Sequence, residues 1–186
     1  DGFAVSLIQS VYHAFGSGLI DPDTGILFHN RGTSFSLDEA SPNVIAPRKR
    51  PAHTLMPVMT MHQRAPRHIL ATMGGQGQPQ ILAQVLLAAI DGAGAEAAVA
   101  APRAVVGLQV DGGTADSVTA ESDLPTVARA SVGRAGLVSA EVAPHTENLG
   151  QANVVFVDDA GSMTAASDPR SDGAGVVAHY PRSAKR

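Results

Sequence analysis

The period of apolar residues changes several times along the chain, and each change marks an element. Residues 3–12 read as a strand with loosely alternating apolar and polar side chains, directly after Asp1-Gly2, a strong signal for a two-residue hairpin turn. A hairpin turn needs a strand on each side, and only the second is present here. The chain is therefore expected to be a fragment whose preceding strand belongs to the same sheet. The turn clusters Phe15-Gly16-Ser17-Gly18 and Asp21-Pro22-Asp23-Thr24-Gly25 bracket short apolar pieces, with Ile26-Leu27-Phe28 as the next strand core. Residues 29–53 lack a period and predict a long surface segment of the kind that lines sites.

Residues 54–61 and 68–73 predict a strand pair. After Gly74-Gly75-Gln76-Gly77, residues 80–91 carry apolar side chains at 81, 82, 85, 86, 89 and 90, a core-facing helical stripe. Residues 95–101 predict a second helix stopped by Pro102, followed by strands at 104–110 and 117–121. A short helix is expected after a cap at Asp123, with Pro125 in its first turn, and residues 137–142 are again extended. Residues 152–157 and 162–166 flank Asp158-Asp159-Ala160-Gly161 as a last hairpin. Ser167-Asp168-Pro169-Arg170 ends the pattern, with Asp168 and Arg170 placed to pair and fix the tail. Strands, then helices, then strands predict a layered α+β domain over residues 1–180, with 181–186 as a frayed tail.

Composition narrows the function. The 186 residues are 44% hydrophobic and 16% charged, so the chain as a whole is not disordered. The net charge is −4 and the widest basic run is Pro47-Arg48-Lys49-Arg50-Pro51, which predicts a solvated loop beside an anionic ligand; nucleic acid is disfavoured. The longest strongly apolar stretch, residues 81–90, is too short to cross a bilayer. With zero Cys there are no disulfides, thiol nucleophiles or thiolate metal sites, and the compartment stays open. Any nucleophile must be an oxygen or an amine. None of the seven His residues stands at ligand spacing from another His or a carboxylate, so no metal is expected.

The Met73-Gly74-Gly75-Gln76-Gly77 turn joins a strand to a helix and presents backbone N–H groups. It lacks the Lys-Ser/Thr of a phosphate loop, and no parallel βαβ unit of the dinucleotide type is predicted around it. An oxyanion hole for acyl transfer is one use of such amides; a tight turn without a ligand is the other.

Taken in order, Asp1-Gly2-x-Ala4-Val5, Phe15-Gly16-Ser17-Gly18, Thr24-Gly25-Ile26-Leu27, Asn30, Lys49-Arg50-Pro51, Met56-Pro57, Gly74-Gly75 and Ala166-Ser167-Asp168-Pro169-Arg170 resemble the small subunit of the γ-glutamyltranspeptidase family of N-terminal-nucleophile hydrolases. The resemblance spans nearly the whole chain. It implies a four-layer αββα sandwich shared with a large subunit cut from the same precursor, and a small-molecule amide as substrate. No cofactor is implied, nor a nucleic-acid or membrane partner. In that family the new N-terminal Thr is nucleophile and, through its amine, base. That Thr lies before the Asp-Gly turn, outside this sequence, so the chain alone is expected to be inert. Gly74 and Gly75 match the oxyanion amides, and Ser10 matches a hydroxyl residue supporting the nucleophile.

The departures are as informative. Where glutamyl-specific members hold the substrate's α-ammonium with an acidic or amide residue and an Asp, this chain has Arg31 and Ser34. Tyr12 replaces an Asn, and His53-Thr54 replaces the Ser-Ser pair that contacts the substrate carboxylate. A cation cannot bind an ammonium, whereas the guanidinium fork suits a carboxylate. The resemblance is greater to the acylase-like and oxamate-amidohydrolase-like members than to the true transpeptidases. Hydrolysis of a small carboxylate-bearing amide is thus expected over glutamyl transfer. A glutathione hydrolase proper and a non-catalytic ligand-binding homologue are the alternatives.

Overall fold

The computed structural model of the chain describes residues 3–107 and 116–178. They fold into two compact units, one of residues 8–55 and one of the remaining described chain. The Asp1-Gly2 turn, the end of the strand expected at 104–110, and the tail at 181–186 lie outside the described residues.

The larger unit is built on a four-stranded sheet in which β1 (Val58–His62), β2 (Ala65–Met73), β6 (Gln151–Val157) and β7 (Met163–Ser167) lie in that order, all neighbours antiparallel. The strands start where backbone chemistry lets them. Pro57 has no N–H to give a ladder, and the Met56 N–H is taken by Gln78 Oε1 at 3.0 Å, so β1 begins at Val58 rather than at residue 54. β2 starts three residues earlier than residue 68, because Gln63 and Arg64 adopt φ of 47° and 68° and close a tight β1–β2 hairpin. A register shift after Thr60, which pairs with His68 while Met61 pairs with Pro66, accommodates the proline. The last hairpin forms as expected, around Asp158–Gly161.

Helices α1 (Gln78–Ile90) and α2 (Ala95–Ala100) cover one face of this sheet. The predicted stripe of α1 does its work at Ile81, Leu82 and Val85, which are buried, while Ile90 at the end of the helix is exposed. Leu70, Val154, Ala152 and Ala166 of the sheet meet Leu82, Val85, Ala95, Ala98 and Val99 in one core. Burial of such side chains contributes roughly 25 cal/mol per Å² of apolar area. Ala at 95, 98, 152 and 166 lets helix and strand backbones approach closely. On another side of the sheet, an open cleft of about 390 Å³ is lined by residues of β2, β6 and β7 together with Val5–Leu7 and Ala174–Val176.

Residues 3–10 are extended but form no strand, which corrects the expectation for 3–12. Phe3, Val5 and Leu7 are exposed while Ala4 and Ser6 are half-buried, and Ser6 Oγ donates to the Leu70 carbonyl at 2.7 Å. Alternation predicts an extended backbone; a ladder also needs a neighbouring strand, and the segment has none among the described residues.

A second sheet orders β3 (Ala104–Val106), β4 (Ser117–Glu121) and β5 (Val138–Val142), with β3 antiparallel to β4 and β5 parallel to it. Helix α3 (Thr126–Arg134) is the crossover of this parallel pair. This parallel βαβ unit, which the sequence did not signal, begins at β4 and does not contain the glycine turn. Asp123 lies in the turn before α3, whose N-cap position is Pro125. No α3 residue is buried; Arg129 ties the helix to Glu141 and to the Ser122 carbonyl.

The smaller unit carries little regular structure, as the aperiodic sequence predicts. It has an isolated bridge between Ile20 and Leu27, another between Ser36 and Val44, and one 3₁₀ turn over Arg31–Ser34. The strand core expected at Ile26-Leu27-Phe28 is reduced to that first bridge, with the Phe28 N–H donating to the Leu19 carbonyl and the carbonyls of Ile26 and Phe28 accepting from the N–H groups of Asp21 and Ser17.

Candidate functional site

Four of the expected site residues converge in the smaller unit. The 3₁₀ turn begins at Arg31, whose backbone N–H donates to His29 Nδ1. Its guanidinium lies 3.9 Å from the centroid of the Tyr12 ring, a cation–π contact. Tyr12 is held there in a left-handed conformation, φ 81°, by its N–H bond to Ser10 Oγ at 2.9 Å and by the Val11 carbonyl accepting from Asn30 N–H. A non-glycine residue at such a φ is strained, and the surrounding bonds hold it. Arg31 Nη1 donates to Thr54 Oγ1 at 3.0 Å.

Arg31 is 6% exposed, yet no carboxylate pairs with it among the described residues. A buried cation ordinarily has a counter-ion. The one side-chain hydrogen bond of Arg31 among the described residues is that of Nη1 to Thr54, which leaves the other donors of the fork without an acceptor there. Ser34 supports the turn: its hydroxyl lies 2.9 and 3.0 Å from the carbonyls of Arg31 and Ala52. His53 stands apart, exposed, with Nδ1 accepting from the Leu55 N–H. Ser10 is likewise engaged with its own backbone neighbourhood through Tyr12. Of the basic run, Lys49 Nζ reaches the Pro42 carbonyl.

Gly74 and Gly75 sit at the end of β2, before α1, in the larger unit. Their φ values are 147° and 53°. The φ of Gly74 is one that side-chain-bearing residues rarely adopt, and a Cβ there would lie 2.5 Å from Ile81 Cδ1, which would have to shift. Neither Gly74 nor Gly75 N–H donates to an acceptor among the described residues, and Gly75 is exposed while Gly74 is buried. Unspent, fixed amides beside a helix start are what an oxyanion hole requires.

Beneath this turn lies a charged cluster that the sequence shows only in part. Asp168 and Arg170 do pair, Oδ1 to Nη1 at 2.9 Å, but they are buried together with Arg103 and Glu121. Arg103 Nη2 meets Asp168 Oδ2 at 2.5 Å, and Arg170 Nη2 meets Glu121 Oε2 at 2.5 Å. Glu121 Oε2 also accepts the Arg103 backbone N–H, and Asp168 Oδ2 the Ala152 N–H. Two cations and two anions thus neutralise each other. Burial lowers the Arg103 pKa, with Asp168 opposing it; for Arg170 burial is outweighed by the hydrogen bonds it donates to Glu121 and Asp168, and its pKa rises. Arg103 Nη1 donates to the carbonyls of Leu149 and Gly150, at 3.3 and 3.1 Å. Sequence reasoning missed Arg103 and Glu121. The available signal was a charged residue closing the otherwise uncharged strand Ser117–Glu121.

Among the described residues no group of three or more His, Cys, Asp or Glu is placed to hold a metal ion, and no helix is long and apolar enough to cross a membrane.

The chain is 38% identical over 177 residues to the glutathione hydrolase-like YwrD proenzyme of Bacillus subtilis, covering 95% of this chain and 34% of that protein. It is 37% identical over 174 residues to the oxamate amidohydrolase proenzyme of Klebsiella pneumoniae, covering 93% and 33%. The chain therefore spans about a third of the length of these curated relatives. Its fold superimposes on a γ-glutamyltranspeptidase from Pseudomonas nitroreducens, solved with L-DON, with a TM-score of 0.79 at 25% identity, over 96% of this chain and 95% of that one. The α+β architecture is thus that of the N-terminal-nucleophile sandwich. Since the sequence model of the family described as gamma-glutamyltranspeptidase matches residues 1–178, the chain belongs to the γ-glutamyltranspeptidase family.

Proposed function

We propose that this chain is most of the small subunit of a self-processing amidohydrolase that cleaves the amide of a small carboxylate-bearing acid. The observation that carries the reading is Arg31, buried, stacked on Tyr12 and without a carboxylate partner among the described residues. An α-ammonium brought to about 4 Å from that guanidinium would be opposed by roughly 4 kcal/mol at an effective dielectric of 20. A carboxylate there is favoured by as much, with two parallel N–H donors. The 37% identity to an oxamate amidohydrolase proenzyme supports the same choice.

In this reading the large subunit comes from the same precursor, and an N-terminal Thr just upstream of residue 1 supplies the chemistry. Its Oγ attacks the amide carbonyl while its own amine takes the hydroxyl proton and passes it to the leaving amine. The carbonyl oxygen becomes an oxyanion that Gly74 and Gly75 N–H stabilise; each such donor is worth roughly 3 kcal/mol of barrier. Water then hydrolyses the acyl-enzyme. Ser10 would support the nucleophile, and Tyr12, Arg31, Ser34, His53 and Thr54 would shape the acyl pocket.

The test is intact mass and N-terminal sequencing of the expressed full-length protein, beside turnover of γ-glutamyl, glutaryl and oxamate amides. Two chains, the smaller beginning with Thr, and preference for a carboxylate-bearing amide are expected. Arg31→Glu should raise KM for that amide at least tenfold and improve the γ-glutamyl substrate. One uncut chain without turnover would refute the enzyme, and an unchanged preference in Arg31→Glu would refute the role of Arg31.

A further inference from the structure

We propose that Arg103 is a positioning residue that sets the amides of the glycine turn from beneath. The proposal rests on the oxyanion reading of Gly74 and Gly75. A chain of contacts joins the two sites. Asp168 Oδ2 grips Arg103 Nη2 at 2.5 Å, and the Val99 carbonyl accepts from the same nitrogen at 2.7 Å, so the guanidinium is fixed at one end. Its other terminal nitrogen, Nη1, donates to the carbonyls of Leu149 and Gly150.

Gly150 has φ 89°, and a Cβ there would lie 2.5 Å from Ile81 Cδ1 and 2.8 Å from the Met73 carbonyl. Gly74 meets the same methyl at 2.5 Å and Gly150 Cα at 3.5 Å, again measured from an added Cβ. The Ile81 methyl thus fills the space beside both Gly150 and Gly74. Asp168 Oδ2 also accepts the Ala152 N–H, and β6 pairs with β2 as far as Met73 and Gln151, so the strand leading into the glycine turn is pinned by the same carboxylate. A lysine at 103 has one nitrogen and cannot hold Asp168, the Val99 carbonyl and the Leu149-Gly150 peptide at once. Loss of that grip lets Gly150 and then Gly74 drift, and small displacements of an oxyanion donor lower turnover more than binding.

The test uses the full-length processed enzyme, with rates normalised by titration of active nucleophile. Arg103→Lys is expected to lower kcat about 30-fold, which is about 2 kcal/mol of barrier, with KM within threefold. Affinity for a boronic acid analogue of the acyl group should fall by the same factor as kcat, while affinity for the product acid stays. A merely structural role would reduce the titrated fraction and Tm but leave kcat per active site and the analogue-to-product ratio at wild-type values, and that result overturns the proposal. Should Arg103→Lys not fold, Ile81→Val, which trims the methyl between the two glycines, decides: about a fivefold loss of kcat per site with matching loss of analogue affinity supports it, and wild-type values refute it. Gly75→Pro separates the two layers. If it retains turnover, the oxyanion reading itself fails; if it abolishes turnover while Arg103→Lys and Ile81→Val are unaffected, only the positioning role fails.

Discussion

Replacing Glu121 by Gln changes one atom in the interior and should cost about 3–5 kcal/mol of stability. The carboxylate is fully buried and accepts four hydrogen bonds: Arg170 Nε and the Thr146 N–H on Oε1, Arg170 Nη2 and the Arg103 N–H on Oε2. An amide keeps one oxygen. Whichever way it turns, its NH₂ faces two donors that now lack an acceptor, each costing about 1–3 kcal/mol. Two guanidinium groups are then left with one carboxylate. The full-length protein, unfolded in urea and followed by far-UV circular dichroism, reads the loss as a fall in midpoint at constant slope. The pair is best isolated by a cycle with Arg170→Met. The double variant restores neutrality, leaving Arg103 with Asp168, and should cost at least 1.5 kcal/mol less than the sum of the singles, within the range of about 0.5–3 kcal/mol for coupled neighbours. A Glu121→Gln protein within about 1 kcal/mol of wild type, or strict additivity in the cycle, would refute the reasoning.

Other perturbations follow from single residues. Gly74→Ala should cost about 2–5 kcal/mol because of its φ and the Ile81 methyl 2.5 Å away, whereas Gly75→Ala, at φ 53° with nothing within 4 Å, should cost only about 1–2 kcal/mol; equal midpoints for the two would contradict this. Burial, and then the charge of Arg67, hold the His68 pKa below its ordinary value, so the folded protein resists protonation that the unfolded chain accepts. Stability is therefore complete above about pH 6.5 and declines as pH falls through the folded pKa. His68→Gln should flatten the fall in Tm between pH 8 and pH 5, and an unaltered slope would refute the assignment. Tyr12→Leu removes the ring over Arg31 and should lower Tm by an amount equivalent to about 0.5–2 kcal/mol; a Tm equal to wild type would dismiss that contact.

The elements best read from sequence are those whose cause is local. The stripe at Ile81, Leu82 and Val85 faces the core, and the Asp158–Gly161 turn closes its hairpin because the φ of 79° at Gly161 is glycine's own preference. What sequence could not give depends on distant partners. Alternation at Phe3, Val5 and Leu7 is the same for a paired strand and for an extended segment without one. Pro57 and the Gln63-Arg64 turn reset the ends of β1 and β2 through backbone donors rather than hydropathy. Arg31 and Tyr12 were singled out by departure from a family pattern; their stacking became visible only once residues 19 positions apart were folded together. Glu121 gave little warning, because a carboxylate in a strand ordinarily faces water.

The charged interior also sets an order of events during synthesis. Asp168 and Arg170 reach back 65 residues to Arg103 and 49 to Glu121. Until the ribosome has delivered them, the nascent chain has a cation and an anion whose intended partners do not yet exist, and enclosing either would be costly. The two sheets can therefore pair early, but their interior stays wet until translation has passed residue 170. The Asp-Pro-Arg segment works as a late-arriving latch, and a message truncated just ahead of it would yield a protein that is recognisably strand and helix yet never seals.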